Sequence, residues 1–361
     1  ADYLAIALIA KEQYREGQAV FQRTFFNKYG LPSEKTARFD PTNPIDTEQW
    51  RVTPTATPFK LIDRIDQLNY LLAQDKIDPS FQELVTRYQA FLQEIETQPQ
   101  IDPNFGIPLS RLQLESFAGY YDKIIHYADA PRIAGPTLND SLDYRAIEES
   151  YLDSSMIYLD DFLTPEALEG LRRFCLESTI FFRHRASGYV GTYINEGFNC
   201  SLLYQIAAEM KERLPRVLGP LPLVHMWAYR YQSRGSGIKP HVGDASVTLN
   251  FWITPDSANL GTKDGGGLVI YKKELSSNLP DSDWLKFNVY KDDPQIQSQI
   301  DEFISSAESV TIPYRCNRFV LFQSNLWHRS DPFHFRDGFE NRRMNGVMLF
   351  GHRGKESALL V

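Results

Sequence analysis

Residues 235–255, GSGIKPHVGDASVTLNFWITP, decide how this chain is read. Glycines and a proline lead into His241, and the apolar run from Ala245 to Ile253 follows it. That order is a turn followed by a β-strand, with the histidine at the point where a side chain can face the mouth of a barrel. Working outward from it, short β runs recur on both sides: MIYLDDF (156–162), YVGTYI (189–194), LVHMWAYRYQ (223–232), GGLVIYKK (266–273), SVTIPY (309–314), RFVLFQS (318–324) and RRMNGVMLFGH (342–352). Two helices interrupt them, TPEALEGLRRFCLES (164–178), with Thr164 as N-cap and Pro165 in the first turn, and SLLYQIAAEMKERL (201–214). Many strands, Gly and Pro turns and few helices predict a β-barrel or jelly roll with helices along one side, an α+β architecture.

Before residue 150 the period changes to that of a helix. Leu61, Ile65, Leu68, Leu71 and Leu72 recur at helical spacing, as do Phe81, Leu84, Val85, Tyr88, Leu92 and Ile95. Between them KIDPS (76–80) is a stop and a start, with Asp78 as cap and Pro79 in the first turn. This predicts a helical hairpin inside an accessory region over residues 1–150, packed on the β-rich second half, 151–361.

The chain has 361 residues, 42% of them hydrophobic, and a formal charge of -8. A soluble, globular protein is expected, not a nucleic-acid binder, which needs clustered Lys and Arg. Cys175, Cys200 and Cys316 are too few and too scattered for a disulfide framework, and a cytoplasmic location is expected. The apolar run near the start is far shorter than the roughly 20 residues of a membrane helix. The triplet Gly265–Gly267 has no following Lys and no helix, so it is read as a tight turn and not as a phosphate loop. No G-x-S-x-G elbow supports a serine hydrolase.

A second histidine, His328, stands in RFVLFQSNLWHRSDPF (318–333). Iron enzymes that activate oxygen hold the metal with two His and one carboxylate on one face. A pair among seven histidines is weak by itself. A further signal comes from ENRRMNGVMLFGHR (340–353), whose alternation puts Arg343, Asn345, Val347 and Leu349 on one face. An inward arginine is costly unless it meets an anion, either a structural Asp or Glu or a dicarboxylate ligand. Tyr229 and Tyr231 alternate on WAYRYQ (227–232) and are candidates for contact with cosubstrate or substrate, as is Asn345. His126, His184, His225, His334 and His352 are taken as structural, and the charged run around residues 334–343 as solvated turns, Arg343 excepted.

Together HVGDASVTLNFWITP, GGGLVIY and the segment 312–351 resemble the phytanoyl-CoA/prolyl-hydroxylase-like superfamily of Fe(II)/2-oxoglutarate oxygenases, over roughly residues 150–352. The resemblance implies a double-stranded β-helix (jelly-roll, cupin-like) core with flanking helices. It implies iron on His241 and His328, 2-oxoglutarate on Arg343, O2 as oxidant, and a small-molecule substrate. One position departs. Where the superfamily has Asp or Glu two residues after the first His, this chain has Gly243, and Asp244 follows one residue later. On a regular strand position 243 shares the face of His241 and Asp244 points away, unless a bulge intervenes. Radical halogenases of the superfamily carry Gly or Ala there, and chloride takes the vacated place and charge. The expectation is therefore a halogenase that exchanges C–H for C–Cl or C–Br. The alternatives are a hydroxylase with Asp244 as third ligand and a non-catalytic binding barrel; an engineered Asp-to-Gly change would look the same. Free amino acids, nucleotides, alkaloids and carrier-tethered acyl groups all suit as substrates, and the oligomeric state stays open. The loop at 276–295 is the candidate substrate lid.

Overall fold

The computed structural model describes residues 2–43, 54–97, 106–185, 188–276, 287 and 293–353. Most of the expected lid, 277–286 and 288–292, lies outside the described residues. Nine helices are named among them: α1 (Asp2–Ala10), α2 (Tyr14–Tyr29), α3 (Pro58–Ala73), α4 (Gln82–Glu96), α5 (Arg111–Ser116), α6 (Tyr144–Ser154), α7 (Pro165–Glu177), α8 (Ser201–Arg213) and α9 (Pro294–Ile304). Ten strands form two antiparallel sheets: β1 (Met156–Leu159), β2 (Arg183–Arg185), β3 (Tyr189–Tyr193), β4 (Leu223–Tyr231), β5 (Val247–Trp252), β6 (Leu268–Glu274), β7 (Ser309–Ile312), β8 (Phe319–Gln323), β9 (Leu326–Ser330) and β10 (Met344–Phe350). The larger sheet has the order β1-β8-β5-β10-β4-β3-β2, the smaller β7-β6-β9. This is the helix-flanked double-sheet core read from the sequence.

Period-two alternation sorts the larger sheet into two chemistries. On β10, Met344, Met348 and Phe350 face α7 and α8 with Met226 and Ala228 of β4 and Leu249 and Phe251 of β5. Helix residues Leu171, Phe174, Leu203, Ala207 and Met210 fill that layer, and Phe21 and Phe25 of α2 extend it. The opposite face of the same strands looks toward the smaller sheet, where Val320, Phe322 and Trp252 meet Leu268, Ile270 and Ile312.

The hairpin α3–α4 forms as its spacing predicts. Leu61, Leu68, Leu71, Leu84, Val85 and Ile95 are buried together, at about 1.5–3 kcal/mol for each large apolar side chain. Asp78 caps the Pro79–Phe81 turn by accepting from the Ser80 amide at 2.9 Å. Thr164 caps α7 over Pro165 by accepting from Ala167. The third helix of the second half, α9, was not read from the sequence. It presents Ile300 and Ile304 to Trp327 and Val242, residues that adjoin the two candidate histidines. No helix among the described residues is long and apolar enough to cross a membrane.

Candidate functional site

His241 and His328 lie directly opposite each other in an antiparallel bridge, each amide donating to the other's carbonyl at 2.9 Å. A doubly bonded antiparallel pair puts both side chains on one face, and here the two ring centroids are 4.3 Å apart. Local backbone orients each ring in the same way. His241 Nδ1 faces the Lys239 carbonyl at 2.8 Å, and His328 Nδ1 faces the Leu326 carbonyl at 2.9 Å. A nitrogen facing a carbonyl carries the proton, so Nε2 keeps the lone pair that a metal takes. This donor set fits a divalent transition metal such as Fe(II), and a backbone carbonyl facing Nδ1 is a common way to fix a metal-binding histidine.

Gly243 lines the same cavity, and its amide donates to the Ser324 carbonyl at 2.7 Å. A Cβ added there would lie 3.1 Å from Ser324 Cβ and 3.2 Å from Thr248 Oγ1. Those two side chains hydrogen-bond each other at 2.7 Å and are buried. Glycine at 243 thus has a packing reason of its own. Asp244 also lines the cavity; its side chain is 61% exposed, with its carboxylate 3.6 Å from Arg353 Nε. Among the described residues no three His, Cys, Asp or Glu side chains cluster as a metal site.

The cavity, of about 270 Å³, lies between the sheets and places the sequence candidates together: His241, Gly243, His328, Tyr229, Tyr231, Arg343 and Asn345 all line it. Arg343 is 1% exposed. Its Nε donates to the Gly266 carbonyl at 3.0 Å and its Nη2 to the Gly267 carbonyl at 3.4 Å, while Nη1 has no hydrogen-bond partner. Those carbonyls come from the glycine turn: Gly266 has φ +81, and a Cβ on Gly267 would strike the Ile312 carbonyl at 2.0 Å. Tyr231, Phe333 and Trp252 surround the guanidinium at 4.6, 5.5 and 5.9 Å. Among the described residues no Asp or Glu is ion-paired with it; its two bonded nitrogens meet only backbone carbonyls. A carboxylate fits there by the chemistry of the donors.

Asn345 Nδ2 donates to Asn250 Oδ1 at 2.7 Å; Asn345 Oδ1 and Asn250 Nδ2 are buried without partners. Tyr229 OH is 3.4 Å from Tyr193 OH, and burial raises the Tyr229 pKa well above the ordinary phenol value, so it stays neutral.

His225, taken from the sequence as structural, also lines this cavity. It stacks on Tyr193 at 5.7 Å, and burial pushes its pKa down to about 4. The missed signal is its parity, since 225, 227, 229 and 231 share one face of β4. A second correction concerns the run read as solvated turns. Arg342 is 5% exposed and ion-paired with Asp63 of α3 at 2.5 Å.

The chain matches no protein-family model and none of the curated proteins. Solved structures resemble it at low identity. The non-heme alpha-ketoglutarate-dependent carbocyclase SnoK from nogalamycin biosynthesis has a TM-score of 0.43 and 12% identity, covering 63% of this chain and 93% of that one. HygX from Streptomyces hygroscopicus, with nickel and 2-oxoglutarate bound, has a TM-score of 0.39 and 12% identity over 58% and 87%. A Pseudomonas putida prolyl-4-hydroxylase has a TM-score of 0.38 and 12% identity over 61% and 100%. At these scores the likeness carries no argument about activity, and the functional reading rests on the site itself.

Proposed function

We propose that this chain is an Fe(II)- and 2-oxoglutarate-dependent oxidoreductase acting on a small molecule. The observation that carries the reading is Arg343: a buried guanidinium with an unpartnered Nη1, in the cavity that also holds the bridged pair His241 and His328. A buried cation without an anion is expensive, and a dicarboxylate that also reaches a metal on the histidines would resolve it. His241 and His328 would hold Fe(II). Arg343 would grip the far carboxylate of 2-oxoglutarate, and Asn345 and Asn250 offer unused amide groups beside it. Iron with 2-oxoglutarate and O2 would supply the oxidising power needed to break an unactivated C–H bond. The chain's own residues bind, orient and exclude water, with neutral His225, Trp227 and Tyr229 forming one wall of the substrate space.

For the outcome, our reading is halogenation, with chloride or bromide beside Gly243. It is supported by the absence of a side chain at 243 and by the exposed Asp244 side chain, whose carboxylate lies 3.6 Å from Arg353 Nε. Hydroxylation is the second reading, and a specific observation favours it: the Ser324–Thr248 contact accounts for glycine at 243 without any halide. Two measurements separate them. In anaerobic Fe(II) titrations His241→Ala and His328→Ala should each lose the metal, whereas Asp244→Ala should keep it. Chloride should tighten 2-oxoglutarate binding to the iron-loaded protein. Loss of iron in Asp244→Ala, or indifference to halide, removes the halogenase reading and favours hydroxylation.

A further inference from the structure

The sheet that carries Arg343 is tied from behind to the helical hairpin, chiefly through one buried carboxylate. Asp63 of α3 is 2% exposed and accepts from two arginines that follow far later in the chain. Its Oδ1 takes Arg230 Nε at 2.8 Å and Arg342 Nη1 at 2.5 Å, and its Oδ2 takes Arg230 Nη2 at 2.6 Å. Burial pushes the Asp63 carboxyl up, but the two guanidiniums outweigh it and hold it below the ordinary carboxylate range.

Both arginines are direct neighbours of cavity residues. Arg230 lies between Tyr229 and Tyr231 on β4, pointing to the helix side while they point to the cavity. It stacks between Phe181 and Phe339 at 4.2 and 4.5 Å and also donates to the Cys175 carbonyl. Arg342 immediately precedes Arg343, and its second nitrogen reaches Asp66 at 2.5 Å. The backbone between them is pinned: Thr254 Oγ1 donates to the Arg342 carbonyl at 2.7 Å, and Tyr231 N donates to the Arg343 carbonyl at 3.0 Å. A shift of the Arg342 peptide therefore moves the Arg343 guanidinium.

We propose that Asp63 is a positioning residue for the anion-binding end of the cavity: by holding Arg342 and Arg230 from the far side of the sheet, it sets where Arg343 stands. The helical hairpin is then a working part of the cosubstrate site, and its docking regulates 2-oxoglutarate affinity. This rests on the reading of Arg343 as the 2-oxoglutarate anchor. With Asp63 neutralised, two buried cations held together by one carboxylate repel each other, and Arg342 has only the half-exposed Asp66 left to hold it. Substitutions that act on a site through packed neighbours change its affinity by roughly two- to thirtyfold.

The experiment is calorimetric titration of 2-oxoglutarate into the full chain loaded with Ni(II), a redox-inert stand-in for iron, for wild type, Asp63→Asn and Arg343→Leu. Asp63→Asn should weaken 2-oxoglutarate roughly two- to thirtyfold and leave Ni(II) affinity unchanged, because the histidines are held by β9 and the turn before β5. A purely structural Asp63 would lower the melting temperature and leave 2-oxoglutarate affinity intact; that result overturns the proposal. If Arg343→Leu abolishes binding while folded Asp63→Asn binds normally, the positioning role fails and the Arg343 reading survives. If Arg343→Leu binds normally, the Arg343 reading fails and this proposal with it. Should Asp63→Asn not fold, Arg342→Lys keeps the charge on Asp63 but cannot bridge Asp63 and Asp66 as the guanidinium does, and the same comparison decides.

Discussion

Replacing Arg343 by leucine should move affinity and stability in different ways, and that difference separates a ligand anchor from a structural arginine. Losing one partner of a buried, hydrogen-bonded charge pair costs about 2–5 kcal/mol of binding, and each 1.4 kcal/mol is a factor of about ten. The dissociation constant for 2-oxoglutarate should rise roughly 30- to 4,000-fold. The ligand-free fold should barely notice. Leucine forfeits the bonds to the Gly266 and Gly267 carbonyls and the stacking on Tyr231. It also removes a buried cation that no acid among the described residues balances, whose desolvation costs several kcal/mol. These terms oppose each other, so the ligand-free melting temperature should change by no more than a few degrees. A hundredfold excess of 2-oxoglutarate over its dissociation constant adds about 2.7 kcal/mol to the wild type, a rise in melting temperature of roughly 3–4 °C for a protein of this size. The variant should show none of it. Thermal melts and calorimetry on Ni(II)-loaded protein read both quantities. A variant that melts far lower yet binds 2-oxoglutarate normally would show that Arg343 serves the fold, and the reasoning here would fail.

The packing account of Gly243 predicts that Gly243→Ala destabilises the protein by about 1–3 kcal/mol, the usual cost of overfilling a tight site. Ser324→Gly in the same chain should recover most of it, because Ser324 Cβ is the nearest obstacle; urea midpoints test this, and an alanine variant as stable as wild type would refute it. His225 should make stability depend on pH. Its folded pKa is about 4 against about 6.5 unfolded, so the unfolded chain binds the proton first as pH falls. The contribution is fully present above about pH 6.5 and is lost progressively toward about pH 4. Denaturant midpoints across that window should fall less steeply in His225→Phe, and an identical slope in both proteins would exclude His225 as the cause.

Much of this molecule could be read along the chain. Helical and strand periods, the caps at Asp78 and Thr164, and the shared face of Arg343 and Asn345 are local properties, written in neighbouring residues and decided by backbone geometry that any reader of the sequence can apply. Other features needed the folded chain. That His241 and His328 form one hydrogen-bonded bridge depends on the register between segments far apart in sequence. Arg342 looked like part of a solvated turn because its partner, Asp63, belongs to a helix near the other end of the chain. His225 shares its strand parity with Tyr229, but only the packing of the two sheets shows that this face lines a cavity. Burial of a charge is a property of what surrounds it in space, and the order of residues along the chain records only what each residue can do once its neighbours arrive.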